Sequence, residues 1–394
     1  MGTLKVNAIS DVAGANGNAI ALAADGTCTA KVTNNLSNRN LIINGSCVVA
    51  QRGNGTSSAL NGWGTTGAPD RFNMDSNLAS LTGTQSQDTE SPDGFTHSFK
   101  VNLTGNTGAM GATEYISIRQ KIEAQNLQHL KNGTAGALST TLSFWVRSPV
   151  TGAHAVRIRK EDNTAREITK TYTISTANTW EHKSLTFPGD TAGGGIDNNN
   201  DEGLMISWCL GAGSNYTSTD STSWINAVTA GQFYGHTATV TSQTGAFYLT
   251  GVQFEVSDYA TSFEHRSYGD ELQRCLRYCY CACAKPNDPV AIGAASSSDY
   301  ALFTVRFPVP MRTEPSMEAV SGGSGVEQWE LMPPGNSSAY FSALNGSGRA
   351  SLTAFNVRAN ISSNFTAKQA YFLNNANAGG TDAAPKGLIF IAEL

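Results

Sequence analysis

Residues 251–284 read GVQFEVSDYATSFEHRSYGDELQRCLRYCYCACA, and three patterns meet there end to end. Positions 251–256 alternate apolar and polar with the period of a strand. Positions 257–268 form an irregular polar and aromatic connector. Positions 270–284 carry a helical period, with Leu272, Cys275, Leu276, Cys279, Tyr280 and Cys283 falling on one face. Ser267 and Asp270 resemble a capping box at its start, and Lys285 and Pro286 suit its end. The stretch is therefore expected to close one β domain, with Glu264, His265 and Arg266 fixing the inter-domain angle and a linking helix at 269–286 carrying a second domain.

The flanking sequence fits that division. The period-two pattern recurs at 95–103, 115–122, 142–146, 156–158, 168–174, 180–187 and 204–210, with Gly and Asn turns between. An apolar run at 41–50 reads as the opening strand. Short strands at regular spacing, with no helical pattern alternating with them, predict an all-β fold: a jelly-roll-like β-sandwich over 38–268. Residues 287–394 return to β, with candidate strands at 301–307, 326–332, 339–344, 352–357, 370–373 and 388–392, and read as a smaller C-terminal β tip domain. Residues 1–37 carry short apolar pieces with too little surface for a core of their own, and read as an extended N-terminal arm.

Composition narrows the function. The chain has 394 residues, 14% charged, with a formal net charge of -5. It shows no basic patch or stripe of the kind nucleic-acid binders use. No apolar run is long enough to span a membrane, so no membrane insertion is expected, and no signal peptide is indicated at 1–10. Seven cysteines, crowded at 275–283 and scattered elsewhere, do not form a disulfide framework. Cys275, Cys279 and Cys283 on one helical face read as a packing stripe, buried in the core or facing a symmetry axis.

Other candidates were weighed the same way. Asp197, Asn199 and Asp201 place oxygens at alternate positions, as calcium loops do, but the full twelve-residue pattern is absent. A polar turn is the favoured reading, and no metal or other cofactor is expected. No nucleophile–base motif appears, so no catalytic residues are assigned and the chain is read as no enzyme. Aromatics outside the core are the remaining class, because sugars and protein partners stack on them. Trp63, Tyr216, Trp224, Trp329 and Tyr340 are the candidate glycan-contacting residues.

Three segments carry a resemblance. NLIINGSCVVAQRG at 40–53, DRF at 70–72 and LTGVQFEVSDYATSFEHRSYGDEL at 249–272 resemble tail-fibre and virion structural proteins of marine podoviruses, including cyanophages. The RCLRY run at 274–278 and the final AEL at 392–394 match the order seen there. Ser257, where that family often has Gly, and the extra Cys279, Cys281 and Cys283 depart from it. The resemblance implies a homotrimeric virion protein, assembled in the host cytoplasm. Residues 1–37 would attach to phage tail or adaptor proteins, and the β domains would recognise host surface glycan such as lipopolysaccharide. Alternatives within it are a capsid decoration or tail adaptor protein, and a tailspike glycan depolymerase.

Overall fold

The computed structural model describes residues 8–10, 18–22, 28–30, 38–52, 69–78, 82–104, 110–241, 244–282, 289–319, 329–332, 339–341, 344–360, 366–375 and 388–394. Every strand pairing among them is antiparallel. In the arm, Ala8–Ser10, Asn18–Leu22 and Cys28–Ala30 form a three-stranded sheet.

The first domain is the expected β-sandwich. Its front sheet runs Glu181–Phe187, Thr140–Arg147, Phe247–Val256, Ser98–Leu103 and Gly83–Asp88, in that lateral order. Its back sheet runs Ile225–Asn226, Arg166–Ile174, Gly152–Lys160, Glu202–Ala212, Tyr115–Glu123 and Asn73–Ser76. The apolar phase of each strand points between the sheets. Phe99, Leu142, Phe144, Leu249 and Phe254 from the front meet Ile118, Ile158, Ile206 and Trp208 from the back, all buried in one core. Thr, Ser and charged residues take the outward phase, as period two requires. Two strands escaped the pattern because they are polar: Gly83–Asp88 (GTQSQD), whose sheet edge is open, and Asn73–Ser76 (NMDS).

The expected opening strand at 41–50 is not a strand. It is a buried irregular segment with Asn44 and Cys47 at φ 62° and 58°. Asparagine side chains replace the missing ladder. Asn40 Nδ2 donates to Val252 O at 3.1 Å, and Asn44 Nδ2 donates to Val49 O at 2.8 Å and Asp70 O at 2.9 Å. Asn tolerates the left-handed region and bonds locally to backbone, so the segment folds without a partner strand.

The helix is shorter than its period indicates. It spans Tyr268–Leu276, capped by Ser267, whose hydroxyl oxygen accepts from Asp270 N. Cys279–Cys281 has instead become a strand, pairing with Leu388–Ile391. A helical period and a partner strand compete for Cys279, and the tertiary pairing wins. Cys275 and Cys279 are both free and fully buried, and burial pushes their thiols well above the usual range, so they pack as small hydrophobes. Cys283 lies outside the described residues.

The tip domain holds a seven-stranded sheet in the order Ala339–Phe341, Trp329–Met332, Ala370–Asn375, Pro289–Ala295, Tyr300–Arg306, Ala354–Asn360 and Leu344–Ala350. A three-stranded sheet puts Leu388–Ile391 between Cys279–Cys281 and Ser316–Ala319. The two share a second core around Phe303, Trp329, Val357, Leu373 and Phe390.

A polar joint locks the two domains together. Arg52 and Arg71, both almost wholly buried in the sandwich, pair with Glu393 of the tip, the Arg52 contact at 3.2 Å. The Arg71 guanidinium also lies 3.5 Å from the centre of the Tyr278 ring. Arg277 pairs with Glu123 at 2.7 Å, and Gln51 Nε2 donates to Cys279 O at 2.7 Å. Arg312 reaches from the tip to Asn200 O at 3.0 Å.

Glu264 and Arg266 bond chiefly to the opening segment. Glu264 accepts from Asn38 N and Asn40 N, and Arg266 donates to Asn40 O and to Ile42 O. His265 packs on Phe95 and Phe263. These residues clamp the opening segment to its own sandwich. The ion pairs at the joint between the domains run through Glu393 and Glu123.

Two buried histidines give the sandwich an acid sensitivity. His154 and His236 lie with ring centres 5.6 Å apart. Burial pulls both below the usual histidine value, and the neighbouring His154 helps take His236 to about 3. Below about pH 6.5 the unfolded chain binds protons at these positions more readily than the folded chain, so stability is lost as the pH is lowered. The expected slope is about 1.4 kcal/mol per pH unit for each histidine that stays neutral. Urea unfolding at pH 7.5 and pH 5 measures it, and His236→Gln is expected to flatten the dependence.

Candidate functional site

The outer faces of the two sheets differ in how they are covered. The back sheet is capped by the excursion over 213–240. Tyr216 and Phe233 of that excursion bury Ala155 and Cys209, and Val228 N donates to Glu167, itself paired with Arg157 at 2.5 Å. The front sheet is covered at one end by the connector, where Thr141 Oγ1 donates to Ser257 O at 2.8 Å and Thr186 Oγ1 to Asp258 O at 3.2 Å. At the other end it carries part-exposed side chains built by cross-strand register.

Two rungs make that patch. One runs Ser86, Lys100, Tyr248 and Arg147, each opposite the next across neighbouring strands. The other runs Thr250, Trp145 and His182. The Lys100 ammonium stands 5.5 Å from the Tyr248 ring centre and the Arg147 guanidinium 5.0 Å. Trp180 meets Tyr248 edge-on at 6.1 Å, and the Trp145 and His182 rings lie 5.3 Å apart. Glu90 accepts from the Trp180 indole at 3.4 Å and faces Arg147 at 3.8 Å; Asp88 holds Lys100 at 2.9 Å. Lys100 is raised above its ordinary value, first by the hydrogen bond to Asp88, so it is charged at neutral pH.

A glycine positions the central ring. The pairing of Phe247–Val256 with Thr140–Arg147 shifts register between Thr250 and Gln253, and Gly251 sits in that bulge at φ 60°. A Cβ there would come within 2.8 Å of Phe95 Cζ and 2.9 Å of Trp145 Cδ1. Only glycine lets both rings lie against the backbone. Tyr248 and Thr250 are buried beneath it, and the patch offers the part-exposed rings of Trp145 and Trp180 and the exposed His182 beside the charged groups.

Among the described side chains, Tyr216, Trp224 and Trp329 do not belong to it. Tyr216 is 7% exposed, its hydroxyl donating to Thr113 O, and Trp329 is 1% exposed in the tip core. Both are corrected from contact residues to packing residues, because each ring fills a core. Trp224 packs on the main core, and its indole donates to Pro188 O at 2.7 Å. Tyr340 lies in strand Ala339–Phe341, but its side chain, and all of Trp63, lie outside the described residues. The signal that finds the patch is the outward phase of TTLSFWVR at 140–147. With Leu142, Phe144 and Val146 inward, Trp145 and Arg147 must face out.

The Asp197, Asn199 and Asp201 loop is tied down by its own chain. Asn199 O accepts from Gln125 N, Asp201 O from Ala124 N, and Asn199 Oδ1 from Asp201 N. The loop braces the 3-10 helix Ala124–Leu130. Among the described residues no group of three or more metal-ligating side chains comes together.

Solved structures similar to this chain include carbohydrate-binding modules. A family 4 module is 15% identical over 54% of this chain and 98% of the module, with a TM-score of 0.29. The family 11 module of cellulosomal cellulase Lic26A-Cel5E of Clostridium thermocellum is 11% identical over 54% and 98%, at 0.26. The enzymatically active domain of bacteriophage CBA120 tailspike protein 4 is 13% identical over 56% of this chain, at 0.30, and the match spans only 22% of that domain. No family model matches, and no curated protein matches. No helix among the described residues is long and apolar enough to cross a membrane.

Proposed function

We propose that this chain is a structural protein of a phage particle, a trimeric tail fibre that attaches through residues 1–37 and recognises host surface glycan. The observation that supports glycan recognition is the open end of the front sheet. Sugars present a C–H face to an aromatic ring and hydroxyls to charged or amide groups, and Trp145, Trp180, His182, Lys100 and Arg147 supply both. The motif resemblance supports the virion role, and no side-chain arrangement on the face calls for catalysis.

Binding of the purified protein to host cells and to extracted lipopolysaccharide tests the reading. Trp145→Ala is expected to weaken binding about tenfold, the equivalent of ~1.4 kcal/mol, while leaving the melting profile in place. Unchanged binding would remove the front-sheet face from the proposal. Release of new reducing ends from the polysaccharide would replace the fibre with a depolymerase. Light scattering is expected to give three times 41.5 kDa, and a stable monomer would overturn the trimer.

A further inference from the structure

A second opening lies away from the front sheet. A cleft of about 700 Å³ is enclosed by the connector, the helix Tyr268–Leu276 and Val309–Pro310 of the tip. That volume is in the range of small-ligand sites, and such sites favour domain boundaries.

The charges around it do not all cancel internally. Arg277 is spent on Glu123, with Nε and Nη2 donating at 2.7 and 2.8 Å. Arg266 is spent on the carbonyls of Asn40 and Ile42 and lies 3.5 Å from Glu271. The carboxylates are occupied too. Glu264 accepts two backbone N–H groups, and Asp270 accepts from the Ser267 hydroxyl at 2.7 Å. Arg274 is different. Its Nη2 donates to the neutral Asn38 side chain at 2.6 Å, and it forms no ion pair among the described residues.

We propose that this cleft binds the carboxylate of an acidic saccharide, a uronic acid residue, through Arg274. A guanidinium fork matches a carboxylate in two-point geometry. Gln273 and His265, both exposed on the cleft wall, suit sugar hydroxyls, and Val309 with Pro310 gives an apolar wall for the ring. The inference takes its ligand class from the glycan reading but rests on residues separate from the front sheet, so the two fail independently.

Calorimetric titration of the full chain with tri-galacturonate, maltotriose and inorganic phosphate tests it. Tri-galacturonate is expected to bind, maltotriose at least tenfold more weakly, and added salt to weaken the acidic ligand. Arg274→Gln is expected to lose at least tenfold, and Arg274→Lys to recover part of it. Arg274 is part-exposed, so unchanged melting of its variants confirms that folding is intact. Equal binding of wild type and Arg274→Gln, absence of tri-galacturonate binding, or tighter binding of phosphate than of tri-galacturonate would each overturn the proposal.

Discussion

Glu393→Ala is expected to cost about 3–5 kcal/mol of unfolding free energy, the range for breaking a buried ion pair by removing one partner. Glu393 faces two guanidiniums at once, Arg52 and Arg71, and all three side chains are nearly inaccessible to water. The variant leaves both cations buried with fewer partners. Asp70 still attracts Arg52, but its carboxylate is held by the Gln51 backbone and side chain at 2.9 and 2.6 Å and makes no ion-pair contact with either guanidinium. Glu393→Gln keeps the shape and some hydrogen bonding, so its loss is expected to be smaller. Urea unfolding measures both, and a loss below about 1 kcal/mol for the alanine variant would show the joint to behave like a solvated surface pair.

Lys160→Met is the second large effect. The Lys160 ammonium is fully buried, donating to Gly193 O at 2.9 Å and Gly194 O at 2.6 Å, with Asp190 at 3.6 Å. It works as a fixed cation inside a cage of oxygens. Methionine keeps the length but supplies no donor, so Gly194 O loses its ammonium partner, Gly193 O keeps Thr164 N at 3.2 Å, and Asp190 keeps Arg166 at 2.8 Å and Ala192 N at 3.3 Å. A loss of about 3 kcal/mol or more is expected, since orphaned buried polar groups cost their full desolvation. Arg166 also packs over Gly193, where a Cβ would meet its Cδ at 2.1 Å, so the loop has little room to relax. A melting temperature equal to wild type would mean that the loop at 193–195 finds other donors.

The fold was legible where burial on one face imposes a period. Thr140–Arg147, Arg166–Ile174 and Glu202–Ala212 announce themselves because inward residues must be apolar. Gly83–Asp88 does not, since an edge strand with little to bury carries no apolar phase. Cys279 shows the reverse failure: a perfect helical phase yielded to pairing with Ile391, a partner that local pattern cannot see. The front-sheet patch is half-legible. Its inward half, Leu142, Phe144 and Val146, announces itself as core, while its outward half, Trp145 and Arg147, carries no signal beyond being the opposite phase. Burial of Tyr216 shows why loop position is a poor guide to exposure.

The motifs that carry the resemblance have a shared physical address. Asn40, Asn44, Gln51, Arg52, Asp70, Arg71, Glu264, Arg266, Glu271 and Glu393 all bond within the opening segment, the helix and the joint. They describe how the opening segment is clamped to its sandwich and how the two domains are fastened. That explains why they speak of architecture.

The order of strands in the small tip sheet also fixes an order of events in time. Leu388–Ile391 is its middle strand yet the last tip strand in chain order, paired with Cys279–Cys281 on one side and Ser316–Ala319 on the other. During synthesis those two wait with open edges until the segment that joins them is made. Closing so long a loop is slow and exposes unpaired edges meanwhile. The sandwich strands end at Val256 and the Glu264 and Arg266 clamp follows at once, so the sandwich is free to fold first and hold Arg52 and Arg71 ready. Docking of Glu393 then follows the pairing of Leu388–Ile391, and a ribosome-stalled chain that stops before Leu388 would emerge with its sandwich formed and its tip unsealed.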